Sequence, residues 1–302
     1  MSNQIKLSNK KDYLANCFMT EKSEMAVNKR LYTGIKCIDE KMPIRNGLYL
    51  LGGCPGIGKT SAILQWIDSF AEQGHAVLFF SLEQIERDLT IKSINRLKYK
   101  NSISEKEAIE LYSSFADNII TATSDSGVMI EDLVKTVEDV INTTNTKPIV
   151  FVDYLQLLHT KKSLGKREEI EEVSHQLIAL SKRHRLTVFV LSSLNRTNYL
   201  APIDYESFKE SGSLEYDADV VLGLQYQIVS SQSFTSCASV DKRRVLIGQE
   251  KVKEVREVEL SCIKNRFGPV FESCKMNYLA DKDLFVDGDG HKIQSQKKVK
   301  VL

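Results

Sequence analysis

Eight consecutive residues, Gly53-Cys54-Pro55-Gly56-Ile57-Gly58-Lys59-Thr60, have the types and order needed to wrap an anion, and Ser61 follows them. They satisfy the pattern GxxxxGK[ST] in full. Gly56 and Gly58 let backbone N–H groups turn inward around a phosphate, and a helix starting beside them adds its positive end. Lys59 is long enough to reach the terminal phosphates of a nucleotide, and Thr60 offers a hydroxyl to Mg2+. Two carboxylates could complete such a site. Asp153 closes the apolar run Ile149-Val150-Phe151-Val152. A charge after four apolar residues is costly unless a cation meets it. Beside a phosphate loop, this favours metal ligation, although a strand-end aspartate also suits turn capping. Glu83 ends Phe79-Phe80-Ser81-Leu82-Glu83. Hydrolysis needs a group that orients or deprotonates water, and Glu83 is the candidate. Taken alone, it reads as an exposed loop glutamate.

These residues need elements to hold them. Gly47–Gly52 reads as a strand before the glycine loop, and Thr60–Glu72 as a helix after it, ended by Gly74. Ala76–Phe80 is a continuous apolar run, the mark of a strand buried on both faces; Pro148–Asp153 reads as another buried strand and Leu186–Leu191 as a further strand. Residues 84–115, Ile130–Val140 and Glu168–Arg185 carry helical periodicity. Val220–Leu224 and Val255–Ile263 are the last clear strands. Alternating strands and helices predict an α/β fold with a mostly parallel central sheet covered on both faces. The divisions expected are an N-terminal extension over 1–30, one domain over 31–290 and a basic tail over 291–302. Tyr13, Leu14, Cys17 and Phe18 place a short amphipathic helix in the extension. In the tail, Lys292, Lys297, Lys298 and Lys300 read as a solvated terminus.

Composition bounds the function. The 302 residues carry 41 Lys plus Arg against 40 Asp plus Glu, a net charge of +1. Hydrophobic residues make up 42% and charged residues 27%, which excludes a disordered chain. Near-neutrality removes global basicity as an argument for nucleic-acid binding, so any such contact must be local. No apolar stretch approaches the roughly 18 residues of a membrane span, and residues 1–13 lack the core of a signal peptide. The six cysteines form no CxxC pair, which predicts a reduced, cytoplasmic chain without a zinc site.

Taken together, several segments resemble the RecA-like C-terminal domain of DnaB-type replicative helicases. Thr33-Gly34-Ile35-Lys36-Cys37-Ile38-Asp39 followed by Gly47-Leu48-Tyr49-Leu50-Leu51 looks like the entry to that domain. Phe80-Ser81-Leu82-Glu83 is similar to its catalytic-glutamate segment, and Val152-Asp153-Tyr154-Leu155-Gln156-Leu157-Leu158 to its Walker B segment. Leu191-Ser192-Ser193-Leu194-Asn195-Arg196 resembles LSQLNR. Lys209-Glu210-Ser211-Gly212-Ser213-Leu214-Glu215, then Asp217-Ala218-Asp219-Val220-Val221, resembles RESGSIEQDADVV. Lys264-Asn265-Arg266-Phe267-Gly268-Pro269 resembles KNRxGP. The order agrees over residues 31 to 286.

The resemblance implies a RecA-like P-loop NTPase assembled as a hexameric ring, with ATP and Mg2+ between subunits and single-stranded DNA in the channel. It implies that Lys59 and Thr60 hold phosphate and Mg2+, that Asp153 supports the metal and that Glu83 activates water. Lys264 and Arg266 would reach the γ-phosphate of a neighbour's ATP. Without the family these two read as a basic strand end. Lys209, Glu210 and Gly212 would touch the DNA backbone, with Lys209 standing where the family has arginine. Lys161, Lys162, Lys166 and Arg167 either line the same channel or form a solvated loop. Two departures stand out. The family's N-terminal domain is missing, the residues before the core offering at most a subunit-clasping helix at 10–27. Ser193 replaces the glutamine of LSQLNR, too short to link γ-phosphate and DNA as that residue does. The expected function is a DnaB-like DNA helicase or single-stranded-DNA-dependent ATPase. The alternative is a regulatory or assembly ATPase of the same superfamily that does not unwind.

Overall fold

A computed structural model describes residues 30–124, 127–195, 199–211 and 214–288. The chain divides into two compact units, residues 1–31 and 32–302. The expected helix at 10–27 and the basic tail at 291–302 lie outside the described residues.

The second unit opens with α1 (Lys36–Lys41), β1 (Gly47–Gly53), α2 (Lys59–Glu72) and β2 (Val77–Ser81). Two helices follow, α3 (Glu86–Asn101) and α4 (Glu105–Ala116), where the periodicity predicted one helical stretch over 84–115. The break has a local cause. Ser102 takes a left-handed φ of 54° and ends α3, and Ser104 starts α4 with a reciprocal capping box to Glu107. The chain continues through β3 (Ile119–Thr123), β4 (Val128–Met129), α5 (Ile130–Thr144), β5 (Ile149–Asp153), β6 (Leu158–His159), α6 (Lys166–His184) and β7 (Thr187–Ser193). It closes with α7 (Leu214–Asp217), β8 (Val220–Tyr226), α8 (Gln232–Thr235), α9 (Val240–Lys251), β9 (Val255–Asn265), β10 (Cys274–Leu279) and β11 (Leu284–Asp287).

Nine strands form one sheet in the order β11-β10-β9-β8-β1-β7-β5-β2-β3. From β8 to β3 every pairing is parallel, and β9, β10 and β11 add an antiparallel edge. All residues of β1, β2, β5 and β8 are buried. Because side chains alternate along a strand, each central strand feeds two cores. Leu48, Leu50, Val150, Val152, Val188 and Val190 pack with Leu133 and Val137 of α5 and with Val173, Leu177 and Leu180 of α6. On the other face Phe151 stacks on Phe189 at 4.8 Å, and Trp66 and Phe70 of α2 lie against the same ring at 5.6 and 6.3 Å. Among the described residues no helix is long and apolar enough to cross a membrane.

One charged pair crosses this second core. Arg96 of α3 is bonded to Asp68 of α2, and both side chains are almost fully buried. Ser93 also donates to Asp68, at 3.1 Å, and Arg96 donates to the Leu64 carbonyl at 3.2 Å and to that of Asp283 at 3.2 Å. The pair therefore fixes α3 on α2 and reaches the β10–β11 edge. Replacing Arg96 by Met leaves Asp68 buried without its cation, which should cost about 3–5 kcal/mol in a urea unfolding titration. A loss below about 1 kcal/mol would mean the pair does not hold these helices together.

Candidate nucleotide-binding site

The glycine loop leaves the C-terminal end of β1 and enters α2, as a phosphate loop must. Gly56 has φ 77° and Gly58 φ 102°, both left-handed. At Gly56 an added Cβ would meet nothing within 4 Å, whereas at Gly58 it would lie 2.8 Å from Tyr278 Cε1 and 3.0 Å from Phe285 Cζ. Gly53 and Ile57 are buried, Cys54 is half-buried, and Pro55 and Gly56 are exposed. The start of α2 is held from above by the β10–β11 hairpin. Ser61 Oγ donates to Asp283 Oδ1 at 2.7 Å and meets the Tyr278 hydroxyl at 3.1 Å. Gln65 exchanges two bonds with the Phe285 backbone, at 2.9 and 3.0 Å. Tyr278 stacks on Phe285 at 4.3 Å.

A cleft of about 420 Å³ opens beside the loop, lined among others by Gly58, Lys59, Thr60, Glu83, Asp153 and Ser193. The parallel register explains how four separate segments meet there. Gly53 pairs with Ser193, and Ser81 pairs with Asp153, so these strands end at one rim. Asp153 is 2% exposed and accepts a hydrogen bond from Thr60 Oγ1 at 2.7 Å. Burial pushes its carboxyl above the usual carboxylate range; the Thr60 hydrogen bond opposes this and the charge of Glu83 adds to it. Burial lowers the Lys59 pKa, against the attraction of Cys54, Asp153 and Glu83. Lys59 Nζ donates to the carbonyls of Gly53 at 2.8 Å and Cys54 at 3.3 Å. Glu83 itself is exposed, in a turn closed by Ser81 Oγ donating to the Gln84 carbonyl at 2.7 Å.

A buried carboxylate bonded to a threonine hydroxyl is a pair of hard oxygens, the donor chemistry that Mg2+ prefers. Among the described residues no cluster of three or more His, Cys, Asp or Glu could hold a metal alone. A metal here would draw its other oxygens from water and nucleotide, which is how Mg2+ is usually held.

Lys264 and Arg266 do not enter this cleft. Lys264 opposes Val221 on β8, and the next residue of β9, Asn265, opposes Val220, which itself pairs with Tyr49 of β1. That is the N-terminal end of β1, four residues or about 13 Å short of Gly53 along the strand. Lys264 donates to the carbonyls of Glu215 and Tyr216, and Arg266 to Asp219 Oδ1 at 3.2 Å and the Tyr216 carbonyl at 3.3 Å. Lys209 and Glu210 fall in the 3-10 turn Tyr205–Ser211, and Gly212 lies outside the described residues. Lys166 and Arg167 open α6. Lys161 is paired with Asp132 at 2.6 Å and Lys162 with Glu172 at 2.7 Å.

The sequence reading missed several groups at the cleft. Arg256 NH1 donates to the Gly56 carbonyl at 3.0 Å, and its guanidinium lies over the Tyr278 ring at 5.7 Å. Gln84, Lys92 and Tyr278 line the cleft. No motif marks Arg256 or Tyr278. Arg256 is at the start of β9, a strand expected at Val255–Ile263, but nothing in that run singles the residue out; Tyr278 comes from β10, which carries no buried-strand signature.

Fold and cleft together define a RecA-like P-loop NTPase domain. Residues 31–287 match the DnaB-like helicase C terminal domain, and the chain belongs to that family. It is 28% identical over 260 residues to the replicative DNA helicase DnaB of Mycoplasma genitalium, covering 79% of this chain and 52% of that protein. It is 27% identical over 265 residues to a probable plasmid replicative DNA helicase of Chlamydia psittaci, covering 80% and 52%. The chain thus spans about half the length of these curated relatives. Among solved structures, an isolated ATPase domain matches with TM-score 0.73 at 20% identity, covering 93% of this chain and 99% of that one. A DnaB-like replicative helicase studied with primase matches with TM-score 0.70 at 20% identity, covering 91% and 70%.

The two loop glycines separate strain from crowding. Gly56→Ala should cost only the left-handed backbone penalty of about 1–2 kcal/mol. Gly58→Ala adds a collision with Tyr278 and should lower stability further and weaken nucleotide binding, read by denaturation and equilibrium binding. Equal effects of the two changes would contradict the role given to the hairpin.

Proposed function

We propose that this chain is the ATP-hydrolysing motor domain of a DnaB-type helicase, working with Mg2+ on single-stranded DNA as a ring, hexameric as its family implies. The observation that carries the reading is the meeting of Lys59, Thr60, Glu83 and Asp153 in one cleft. In the reaction, the water oxygen bonds to the γ-phosphorus, the bond to the ADP oxygen breaks, and the water proton passes to Glu83. Lys59 and the loop N–H groups hold the phosphates and offset the charge that develops on them. Thr60 and Asp153 would hold Mg2+, which when bound neutralises phosphate charge. Arg256 and Tyr278 form a cation and aromatic shelf beside Gly56, suited to the flat face of a base.

Lys264 and Arg266, at the far end of the sheet, are assigned to a neighbour's nucleotide. For DNA, the turn carrying Lys209 and Glu210, together with Gly212, is the proposed contact. Tyr205 and Tyr216 flank it, stacked at 6.4 Å and exposed, and offer faces on which bases can stack. One observation favours the alternative of a regulatory or assembly ATPase without unwinding. Lys161 and Lys162 are already neutralised by Asp132 and Glu172, so that loop brings little spare charge to a channel.

Glu83→Gln should lower ATP turnover by about 10²–10⁴-fold, because the amide keeps the shape but takes no proton. Its ATP affinity should stay near wild type. The measurement is steady-state hydrolysis with and without single-stranded DNA, beside equilibrium binding. A parallel collapse of affinity would remove Glu83 from the chemistry.

Completion in trans has its own test. Arg266→Ala should bind ATP yet hydrolyse it about 10³–10⁵-fold more slowly, the range of an arginine finger. Mixed with Lys59→Ala subunits, themselves inactive, it should regain part of the activity, since some interfaces then join an intact loop to an intact Arg266. Full activity of Arg266→Ala in a monomeric preparation would exclude the trans arrangement and the ring.

A further inference from the structure

The cleft holds a second lysine that the mechanism above does not use. Lys92 sits on α3, nine residues after Glu83, and lines the cleft with Lys59, Glu83, Gln84 and Asp153. It is half-buried, and its Nζ donates to Gln84 Oε1 at 2.9 Å. Among the described residues no carboxylate forms an ion pair with it, although its charge helps to stabilise ionised Asp153. An ammonium has three donors. One is spent on Gln84, which leaves two for a ligand in the cleft that Lys92 lines.

Its position is fixed from both directions. The next residue, Ser93, and Arg96 one turn later are anchored to Asp68, so this stretch of α3 is set against α2. Gln84 is set by the turn that Ser81 closes. That turn does not depend on Lys92, and a neutral amide oxygen has no need of a charged partner. Holding Gln84 therefore does not account for a half-buried cation here. With its oxygen turned to Lys92, Gln84 presents its NH2 group in another direction, with two further donors. The wall facing the phosphate loop thus carries one positive charge and a set of unspent donors, next to the two carboxylates of the cleft.

We propose that Lys92, oriented by Gln84, contacts the terminal phosphate of the bound nucleotide in cis and stabilises the charge that develops there during hydrolysis. This inference rests on the nucleotide reading of the cleft. The water proton still goes to Glu83, and Lys92 takes no part in the proton transfer. The site therefore has a cation on the loop side, Lys59, and one on the Glu83 side, Lys92, before any neighbour contributes. Because the contact is to the last phosphate, a diphosphate would not engage it.

The test compares binding of a nonhydrolysable ATP analogue and of ADP, each with Mg2+, to wild type, Lys92→Met, Lys92→Arg and Lys59→Ala. Lys92→Met should weaken the analogue by about 10–100-fold, the worth of a charge-assisted hydrogen bond, and leave ADP within about twofold. Its turnover should fall about 10²-fold, on the scale of one lost electrostatic donor. Lys92→Arg should restore most of the preference for the triphosphate. Equal weakening of analogue and ADP would assign Lys92 a purely structural role and overturn the inference, as would unchanged binding and turnover. If Lys59→Ala binds and hydrolyses like wild type, or wild type binds neither nucleotide, the nucleotide reading itself fails, and the inference with it.

Discussion

The sheet is parallel over six strands, four of them buried along their whole length on both faces, and this constraint decides where chemistry can occur. Along β1, β2, β5 and β8, whose residues are all buried, a polar side chain is costly unless it is hydrogen-bonded, as Tyr49 and Gln225 are. Charged groups collect at the strand ends, where the chain leaves the two cores. Asp153 is the clearest case. It is the last residue of an otherwise apolar strand, 2% exposed, with a threonine hydroxyl donating to it and burial opposing its charge. A carboxylate kept in that condition gains from any cation brought to the cleft. The same burial lowers the pKa of Lys59, so both groups are poised to respond to an incoming charged ligand.

Poise of this kind needs a rigid frame. The antiparallel β10–β11 hairpin lies over the start of α2 and bonds to Ser61 and Gln65. The Asp68–Arg96 pair ties α2 to α3 and, through the Asp283 carbonyl, to that hairpin. Three elements around the phosphate loop therefore share one set of contacts. The chain that carries Glu83 leaves β2 on the same side and runs into α3. A cleft framed this way loses little entropy when the nucleotide arrives, which is the benefit of preorganisation.

Much of this was legible in the sequence, and the reason is physical. The central strands are continuous apolar runs, so they announce themselves, and the phosphate loop is set by residue types that few other structures need. The wall that faces the loop was not legible. Lys92 and Gln84 carry no motif, since what makes them matter is that α3 folds back across the cleft, a tertiary fact. Tyr278 comes from β10, where burial is mixed and period-2 patterning weak, and Arg256 lies on the legible strand β9, but its reach to the Gly56 carbonyl is again a tertiary fact. The break between α3 and α4 was missed because Ser102 in a left-handed conformation interrupts a sequence whose apolar spacing continues on either side. The family resemblance supplied Lys264 and Arg266; local reading gave only a basic strand end.

The register then adds something that neither motif nor resemblance contains. Lys264 and Arg266 are bonded to the 215–219 segment at the N-terminal end of β1, while the phosphate loop leaves its C-terminal end. No rotation of two side chains spans a separation of that order, because the strand between them is fixed in the middle of the sheet. Within one chain, then, the cleft has Lys59, Arg256 beside Gly56 and, by our proposal, Lys92. The trans completion proposed above would bring Lys264 and Arg266 from another molecule, where they are held by the segment that runs directly into β8. A shift of that segment would move the cations and the strand together. Since Gly212 lies three and Lys209 six residues before Glu215, a ligand pulling on the loop would act on this segment through a short covalent path, and on the cations through the hydrogen bonds that tie them to it. On the proposed reading, hydrolysis and strand contact would then be linked through this segment and its hydrogen bonds, a link that does not require a long side chain at position 193.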